Sequence, residues 1–366
     1  MKAANKEALF HITKRDAVSR KAAWGIRGAA LLAALLLCAL FIYKSTGLNP
    51  LNVYVTMYQG AFGNSIYAWD TLIAAAKLLG IAVALAPAFM MRFWNIGAEG
   101  QFLIGGLATA YVMVNYGGKL PNGLLIVIML LAAVFFGGLW GFLPAVCKAK
   151  WKTNETLFTL MMNYVSIRLT DYYYNIWKGA KSSLGKLNRA TKAGYLPSVF
   201  GKSDMLNIIV VVLLAILMFI YLKKTKHGYE IAVVGDSENT ARYAGMNVKK
   251  IIIRTMILSG AVCGLGGFLT VAGREHTVSS VSTAGGYGFT AIIVAWLSKF
   301  NTLYMALVSV FIVFLENGTK LIADTYSSFN DSASSIIIGV ILFFVIGSEF
   351  FINYKVNFRH KEAAKA

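Results

Sequence analysis

Charge is scarce in this chain, and acid is scarcest. Of 366 residues only 14% are charged, with 16 acidic against 35 basic. An ordinary soluble domain carries about 25% charged residues. So few carboxylates provide no acidic metal cluster, and neither a His-Glu-x-x-His helix nor a Gly-x-Ser-x-Gly elbow is present. His11, His227, His276 and His360 are scattered outside the apolar runs, so no metal site is expected. A nucleotide-binding loop is missing too. Gly179-Ala180-Lys181-Ser182-Ser183-Leu184-Gly185-Lys186-Leu187 has one residue too many between its glycines and no Ser or Thr after the lysine. An enzyme reading has nothing to stand on, and no cofactor is expected. Cys38, Cys147 and Cys263 all fall in apolar runs and read as packing residues rather than a disulfide or metal set.

What the chain has instead is hydrocarbon: 57% hydrophobic residues and a mean hydropathy of +0.62. Its apolar runs are about 20 residues long, the length of a membrane-spanning helix, and do not alternate over about 10 as barrel strands do. The expected fold is an all-α polytopic membrane protein with about ten transmembrane helices. They are placed near Trp24–Tyr43, Asp70–Met91, Gly100–Tyr116, Asn122–Cys147 and Glu155–Asn175, then Met205–Leu222, Ile251–Ala272, Tyr287–Leu297, Thr302–Leu321 and Ser332–Phe351. The first apolar run, Gly28–Tyr43, follows a basic segment but is not followed by a small-residue cleavage pattern, so it reads as an uncleaved span.

The net charge of +19 would suggest nucleic acid in a soluble chain. Here the excess sits in loops and tails, so the partners are membrane lipids and no nucleic acid is expected. Lys2–Arg27, Lys148–Lys152, Lys223–Arg254 and Lys355–Lys365 share one side if the spans alternate, which makes that side, with both termini, cytoplasmic. The organisation is then a basic cytoplasmic tail (1–23), a transmembrane domain (24–351, in halves 24–204 and 205–351) and a cytoplasmic tail (352–366). One loop departs from the rule. Between Trp177 and Asp204 stand Lys178, Lys181, Lys186, Arg189, Lys192 and Lys202, either a tolerated translocated loop or a docking surface for an acidic partner.

Two polar breaks interrupt the apolar pattern. Phe93-Trp94-Asn95-Ile96-Gly97-Ala98-Glu99-Gly100-Gln101 separates two runs near spanning length. Unpaired backbone in hydrocarbon costs several kcal/mol per group, so such a segment persists only inside protein or beside a water-filled cavity. It reads as the wall of a passage. The second break is Thr283-Ala284-Gly285-Gly286-Tyr287-Gly288-Phe289, before the short run Thr290–Leu297. In each half two spans precede a break with a short segment, and two more follow. Five spans per half gives two inverted five-helix halves with interrupted helices, the sequence pointer to a transport site. Gly137 with Gly141, and Gly260 with Gly264, are spaced for close helix packing.

Few charges lie inside the spans. Lys77 is in the second, while Arg168 and Asp171 share a face of the fifth. Glu99 has two readings: a proton-exchanging acid, or an acceptor for backbone amides freed at the break. The loop Lys223–Lys250 holds a short helix, with Asp236 or Ser237 as its cap, Glu238 in its first turn and Gly245 at its end. It exposes Glu238, Arg242 and Tyr243, as an ordinary interfacial helix or as a lever gripped by another protein.

Asn-Ile-Gly-Ala-Glu-Gly-Gln at Asn95–Gln101 and Gly-Asp-Ser-Glu-Asn-Thr-Ala-Arg-Tyr-Ala-Gly-Met-Asn at Gly235–Asn247 resemble the permeases of nucleoside-type ABC importers, within the wider ribose and branched-chain amino-acid permease group. The resemblance runs from about Asn49 to Phe351, and Lys77 departs from it by standing where such permeases carry an uncharged residue. It implies a subunit of the bacterial plasma membrane that has no chemistry of its own. Its partners would be cytoplasmic ABC ATPase subunits, a second permease subunit and an extracytoplasmic substrate-binding lipoprotein. Trp94, Asn95, Glu99, Gln101, Asn163, Tyr287 and Phe289 are expected along the substrate pathway, with aromatic faces for a base and amides for base or ribose edges. Asp236, Ser237, Glu238, Arg242 and Tyr243 are expected to couple to the ATPase. The alternative is a proton- or sodium-driven secondary carrier, which shares the broken helices but does not need the capped loop helix.

Overall fold

The computed structural model describes residues 10–15, 19–202, 204–327 and 329–358, so parts of the two expected tails lie outside the described residues. In chain order the elements are β1 (Phe10–Lys14), α1 (Arg20–Thr46), α2 (Pro50–Phe62), α3 (Ser65–Met90), α4 (Ala98–Tyr116), α5 (Asn122–Trp151) and α6 (Glu155–Lys178). Then come α7 (Met205–Lys224), α8 (Lys226–Asp236), α9 (Glu238–Tyr243) and α10 (Val248–Thr270), followed by two π-helical turns, Val271–Glu275 and Ser280–Ala284. The chain closes with α11 (Tyr287–Leu297), α12 (Thr302–Thr325), α13 (Asp331–Asn353) and β2 (Tyr354–Phe358).

Among the described residues eight helices are long and apolar enough to cross a membrane. The other two expected spans, α4 and α6, are also helices, but Glu99, Gln101, Asn163, Arg168 and Asp171 dilute their hydropathy. Three features run against expectation. Helix α2 fills a stretch left without a span; Asn49 caps it by accepting from the Leu51 amide and Pro50 opens it, but its 13 residues rise only about 20 Å. Helix α8 precedes the expected loop helix. The two tails also pair as an antiparallel ladder, Phe10 opposite Phe358 through Lys14 opposite Tyr354.

The chain forms two compact units. One joins Met1–Ala68 to Phe314–Ala366 and the other is Trp69–Val313. In the first, α1 packs on α13, with Arg27 and Glu349 paired at 2.5 Å, and the Tyr54 hydroxyl donates to the Leu35 carbonyl. In the second, α4 is the axis, buried on nearly every side of its first ten residues and packed on α5, α6, α10 and α11. Helices α5 and α10 cross at the expected glycines: a Cβ on Gly141 would collide with the Met256 carbonyl oxygen, and one on Gly260 with that of Gly137.

Candidate functional site

The site is built where two helices begin inside the second unit. Helix α3 ends in a Schellman turn, in which the Arg92 amide donates to the Phe89 carbonyl (2.9 Å) and the Phe93 amide to the Ala88 carbonyl (3.0 Å). Arg92 holds the left-handed position at φ 59°, a place glycine usually takes. The chain then runs non-helically to Gly97, and α4 starts at Ala98, so the first break lies earlier than the sequence placed it. Glu99 and Gln101 stand in the first turn of α4.

Beyond its own backbone turns, the break is held by neutral side chains. Asn163 on α6 accepts from the Gly100 amide and donates to the Ile96 carbonyl, both at 2.8 Å. One turn earlier Thr159 accepts from the Ile96 amide at 3.2 Å. Asn95 accepts from the Gly97 amide (3.0 Å), exchanges two 3.3 Å bonds with Gln101 and donates to Ser259 on α10. Asn95, Gln101 and Asn163 are each at most 1% exposed. Of the amides expected to read a solute, Asn95 and Asn163 are thus turned onto the backbone of the break and Gln101 onto Asn95. The reason is the price of a bare amide at this depth, since each unsatisfied buried group costs about 1–3 kcal/mol.

At the second break the chain leaves the Ser280–Ala284 π turn through Gly285 and Gly286, both left-handed, and α11 begins at Tyr287. The first amides of α11 point at a carboxylate. Glu99 Oε1 accepts from Gly286 at 2.8 Å and Oε2 from Gly288 at 2.6 Å. Of the two readings of Glu99 the backbone-acceptor one describes its bonds, although the amides belong to the other break. Two helix N-termini, each with partial positive charge, therefore meet at one acid. Gly288 permits the approach, because a Cβ there would stand 2.6 Å from both Glu99 Cα and Oε2. Helix α11 has 11 residues and rises about 16 Å, half of a ~30 Å hydrocarbon layer.

The three expected aromatics are less hidden. Trp94 is 46% exposed and stacks on Trp296 of α11, centroids 5.1 Å apart and planes 19° from parallel, with Phe89 edge-on. Phe289 is 44% exposed, while Tyr287 is half-buried. Tyr287 faces Lys77, whose ammonium lies 5.3 Å from its ring centre and 5.8 Å from that of Phe102. Lys77 pairs with Glu275 at 3.4 Å and donates to the Ser282 carbonyl at 3.2 Å. Nearby, Arg274 bridges Asp70 (2.8 Å) and Asp204 (2.9 Å). Sequence reasoning missed Thr159, Ser259, Arg274 and Asp204. Thr159 precedes Asn163 by four residues on one helix face, a signal that could have found it. The expected Arg168–Asp171 pair is present at 3.7 Å, and Asp171 also accepts from Ser280 at 2.5 Å.

The opposite end of α3 meets the loop helices. Ser237, not Asp236, caps α9 by accepting from the Thr240 amide; Asp236 is the last residue of α8. Gly245 ends the turn left-handed at φ 76°, as expected. Glu238 and Arg242 pair at 3.3 Å on the outer face, beside Tyr243 at 94% exposure, while Ala241 is fully buried beneath them. Helix α8 presses on the end of α3 so closely that a Cβ on Gly235 would strike the Met90 carbonyl. A 230 Å³ groove runs between Arg92 and Phe93 on one wall and Asp236, Ser237 and Glu238 on the other.

The basic loop is ordered over the far end. Its Leu187 and Leu196 amides donate to the His276 and Ala272 carbonyls (2.7 and 3.0 Å), and Asn188 donates to the Met113 carbonyl at 2.7 Å. Lys181, Lys186, Arg189, Lys192 and Lys202 are exposed, and Phe200 is 85% exposed at the tip of a tight turn.

Residues 67–346 match the family model described as "Branched-chain amino acid transport system / permease component". The chain is 30% identical to the guanosine ABC transporter permease protein NupP of Bacillus subtilis, across 83% of this chain and 87% of that one. It is 29% identical to the glucose ABC transporter permease protein TsgB13 of Haloferax volcanii (92% and 91% covered). It is 27% identical to the nucleoside ABC transporter permease protein NupB of Lactococcus lactis (73% and 76% covered).

Proposed function

We infer the function from one premise: this chain belongs to the family of branched-chain amino acid transport system permease components. It is a multi-pass membrane protein and a permease subunit of an ABC importer, working with ATPase and substrate-binding partners and not itself an enzyme. The relatives described above are ABC permeases, and nothing favours the ion-driven carrier.

The solute we propose is a nucleoside. Two of the three relatives above are named for guanosine or nucleosides and the third for glucose, so a hydroxylated ring is common to all. In this reading Trp94, Tyr287 and Phe289 offer the aromatic surface of the pathway. Asn95, Glu99, Gln101 and Asn163 hold the two breaks that position it. Helices α8 and α9 face the cytoplasmic ATPases, with Asp236 and Ser237 at their joint and Glu238, Arg242 and Tyr243 as the gripped surface. The basic loop 177–204 receives the extracytoplasmic binding lipoprotein, and a second permease subunit completes the passage. Both termini are cytoplasmic, in the plasma membrane.

The observation that carries the coupling is the seat of Gly235 on the Met90 carbonyl. Movement of α8 pushes directly on the turn that leads into the first break. The test is uptake of labelled guanosine by vesicles holding this chain, its paired permease, the ATPases and the binding protein. Uptake should require ATP inside the ATPase compartment, and Arg242→Glu should cut it while ATP hydrolysis persists. Uptake by this chain alone, stopped by an uncoupler, overturns the reading.

A further inference from the structure

Helix α6 is polar on two opposite faces. Its back buries Thr159, Asn163, Ser166 and Thr170, and from there Thr159 and Asn163 hold the first break. Its front is an exposed stripe at helical spacing: Leu157, Met161, Tyr164, Arg168, Tyr172 and Asn175. Resting on the importer reading, we propose that this stripe is a wet wall of the passage and that Arg168 contacts the transported solute half-way along it.

Depth and exposure are the first observation. The 24 residues of α6 rise about 36 Å, enough to cross a ~30 Å hydrocarbon layer. Arg168 stands about 20 Å from the Glu155 end and about 15 Å from Lys178. Its side chain is 85% exposed, and its ion-pair partner Asp171 lies 3.7 Å away. A guanidinium at that depth is strongly disfavoured against lipid and turns to protein or to water. Nothing else in the described residues forms an ion pair with it.

The neighbouring helices show what a lipid-facing surface looks like in this chain. From Leu124 to Leu143 on α5, and from Ile209 to Ile220 on α7, every exposed residue is aliphatic or phenylalanine. The α6 stripe breaks that pattern with an arginine, two tyrosines and an asparagine. It also lacks the chemistry of a tight helix contact. Helices that pack closely in membranes do so through small residues, as α5 and α10 do at their glycines, and the six stripe residues are all large. Water is the environment that suits both observations.

The position suits transport as well. Asp171 accepts from Ser280 at 2.5 Å, which ties α6 to the π turn that leads into the second break. The back of the helix holds one break and its edge holds the other, so a shift in either moves the stripe. Arg168 offers only donors and Asp171 only acceptors. Side by side they fit an uncharged solute that carries both, as a base edge or a sugar hydroxyl does.

The test uses the assembled importer in vesicles, with Cys38, Cys147 and Cys263 replaced by alanine and R168C introduced. A sulfonatoethyl methanethiosulfonate, anionic and confined to water, is supplied on both sides, and its reaction with this chain is followed by mass. R168C should react at least about tenfold faster than L131C on the exposed stripe of α5. R168C should also cut ATP-driven guanosine uptake by about tenfold, the weight of one hydrogen bond from a charged donor. The aminoethyl reagent, which rebuilds an ammonium at that position, should restore uptake, and the sulfonatoethyl reagent should not. R168C as slow to react as L131C, uptake unmoved by R168C, or equal rescue by both reagents overturns the proposal. Cross-linking of R168C to the paired permease without labelling also overturns it and makes the stripe a subunit contact. If R168C does not assemble, Y172C reads water access one turn along the stripe, and Arg168→Lys should transport better than Arg168→Met. Guanosine uptake by the unsubstituted importer with R168C inert removes the wall and leaves the importer reading. Labelling of R168C without any guanosine uptake by the unsubstituted importer supports the wall and removes the nucleoside.

Discussion

Where the chain leaves helix between Met91 and Gly97, neutral amides and hydroxyls catch the freed backbone; where it leaves helix at Gly285 and Gly286, one carboxylate does. The first break draws its partners from α6 and α10, and the amides that hold it are at most 1% exposed. The second reaches across to the start of α4 and lies beside a solvent-accessible cleft. Both satisfy the rule that backbone at bilayer depth must be paired. They differ in what they connect. Asn163 and Asn95 hold a segment in place, whereas Glu99 fastens one half-helix to another.

That difference can be broken by mutation. Glu99→Ala should be the most damaging change, since it strips two charge-assisted bonds worth about 1.5–3 kcal/mol each and leaves two N-termini facing without an anion. Denaturant unfolding in detergent would measure it. Glu99→Gln keeps one acceptor oxygen and should lose about half as much. Asn163→Ala removes two neutral bonds, from Gly100 and to Ile96, and should cost about 2–4 kcal/mol. A loss equal to that of Glu99→Ala would mean that charge contributes nothing at the second break. Gly288→Ala forces the half-helices apart against Glu99 and should cost about 1–3 kcal/mol. The smallest effect has the opposite sign: Arg92→Gly relieves a left-handed residue and should stabilise the turn by about 1 kcal/mol. If it destabilises instead, the Arg92 side chain makes contacts that the backbone strain conceals.

The comparison also shows what a sequence can carry. The loop helix was legible because its signals are local: Ser237 before it and Gly245 after it are sufficient. The long spans were legible from hydropathy. Helix α2 was not, because 13 residues fall short of a span, although Asn49-Pro50 is an ordinary helix start. The ladder of Phe10–Lys14 with Tyr354–Phe358 joins segments that no periodicity links. Glu99 stands out in the sequence as an acid inside a span, but the amides it accepts from lie 187 and 189 positions away. Asn95 and Asn163 are expected along the pathway because polarity in a span marks both a passage and an internal brace. Their burial and their bonds to the break are not local in sequence.

The amides at the first break decide this account most directly. Uptake of guanosine by the reconstituted importer should be measured for Asn163→Ala and Trp94→Ala beside the melting temperature of each complex. The account expects Asn163→Ala to melt earlier yet keep its half-saturating guanosine concentration, while Trp94→Ala changes that concentration with little effect on melting. An Asn163→Ala complex that melts normally but needs a different guanosine concentration would contradict it and put the amide in contact with the solute.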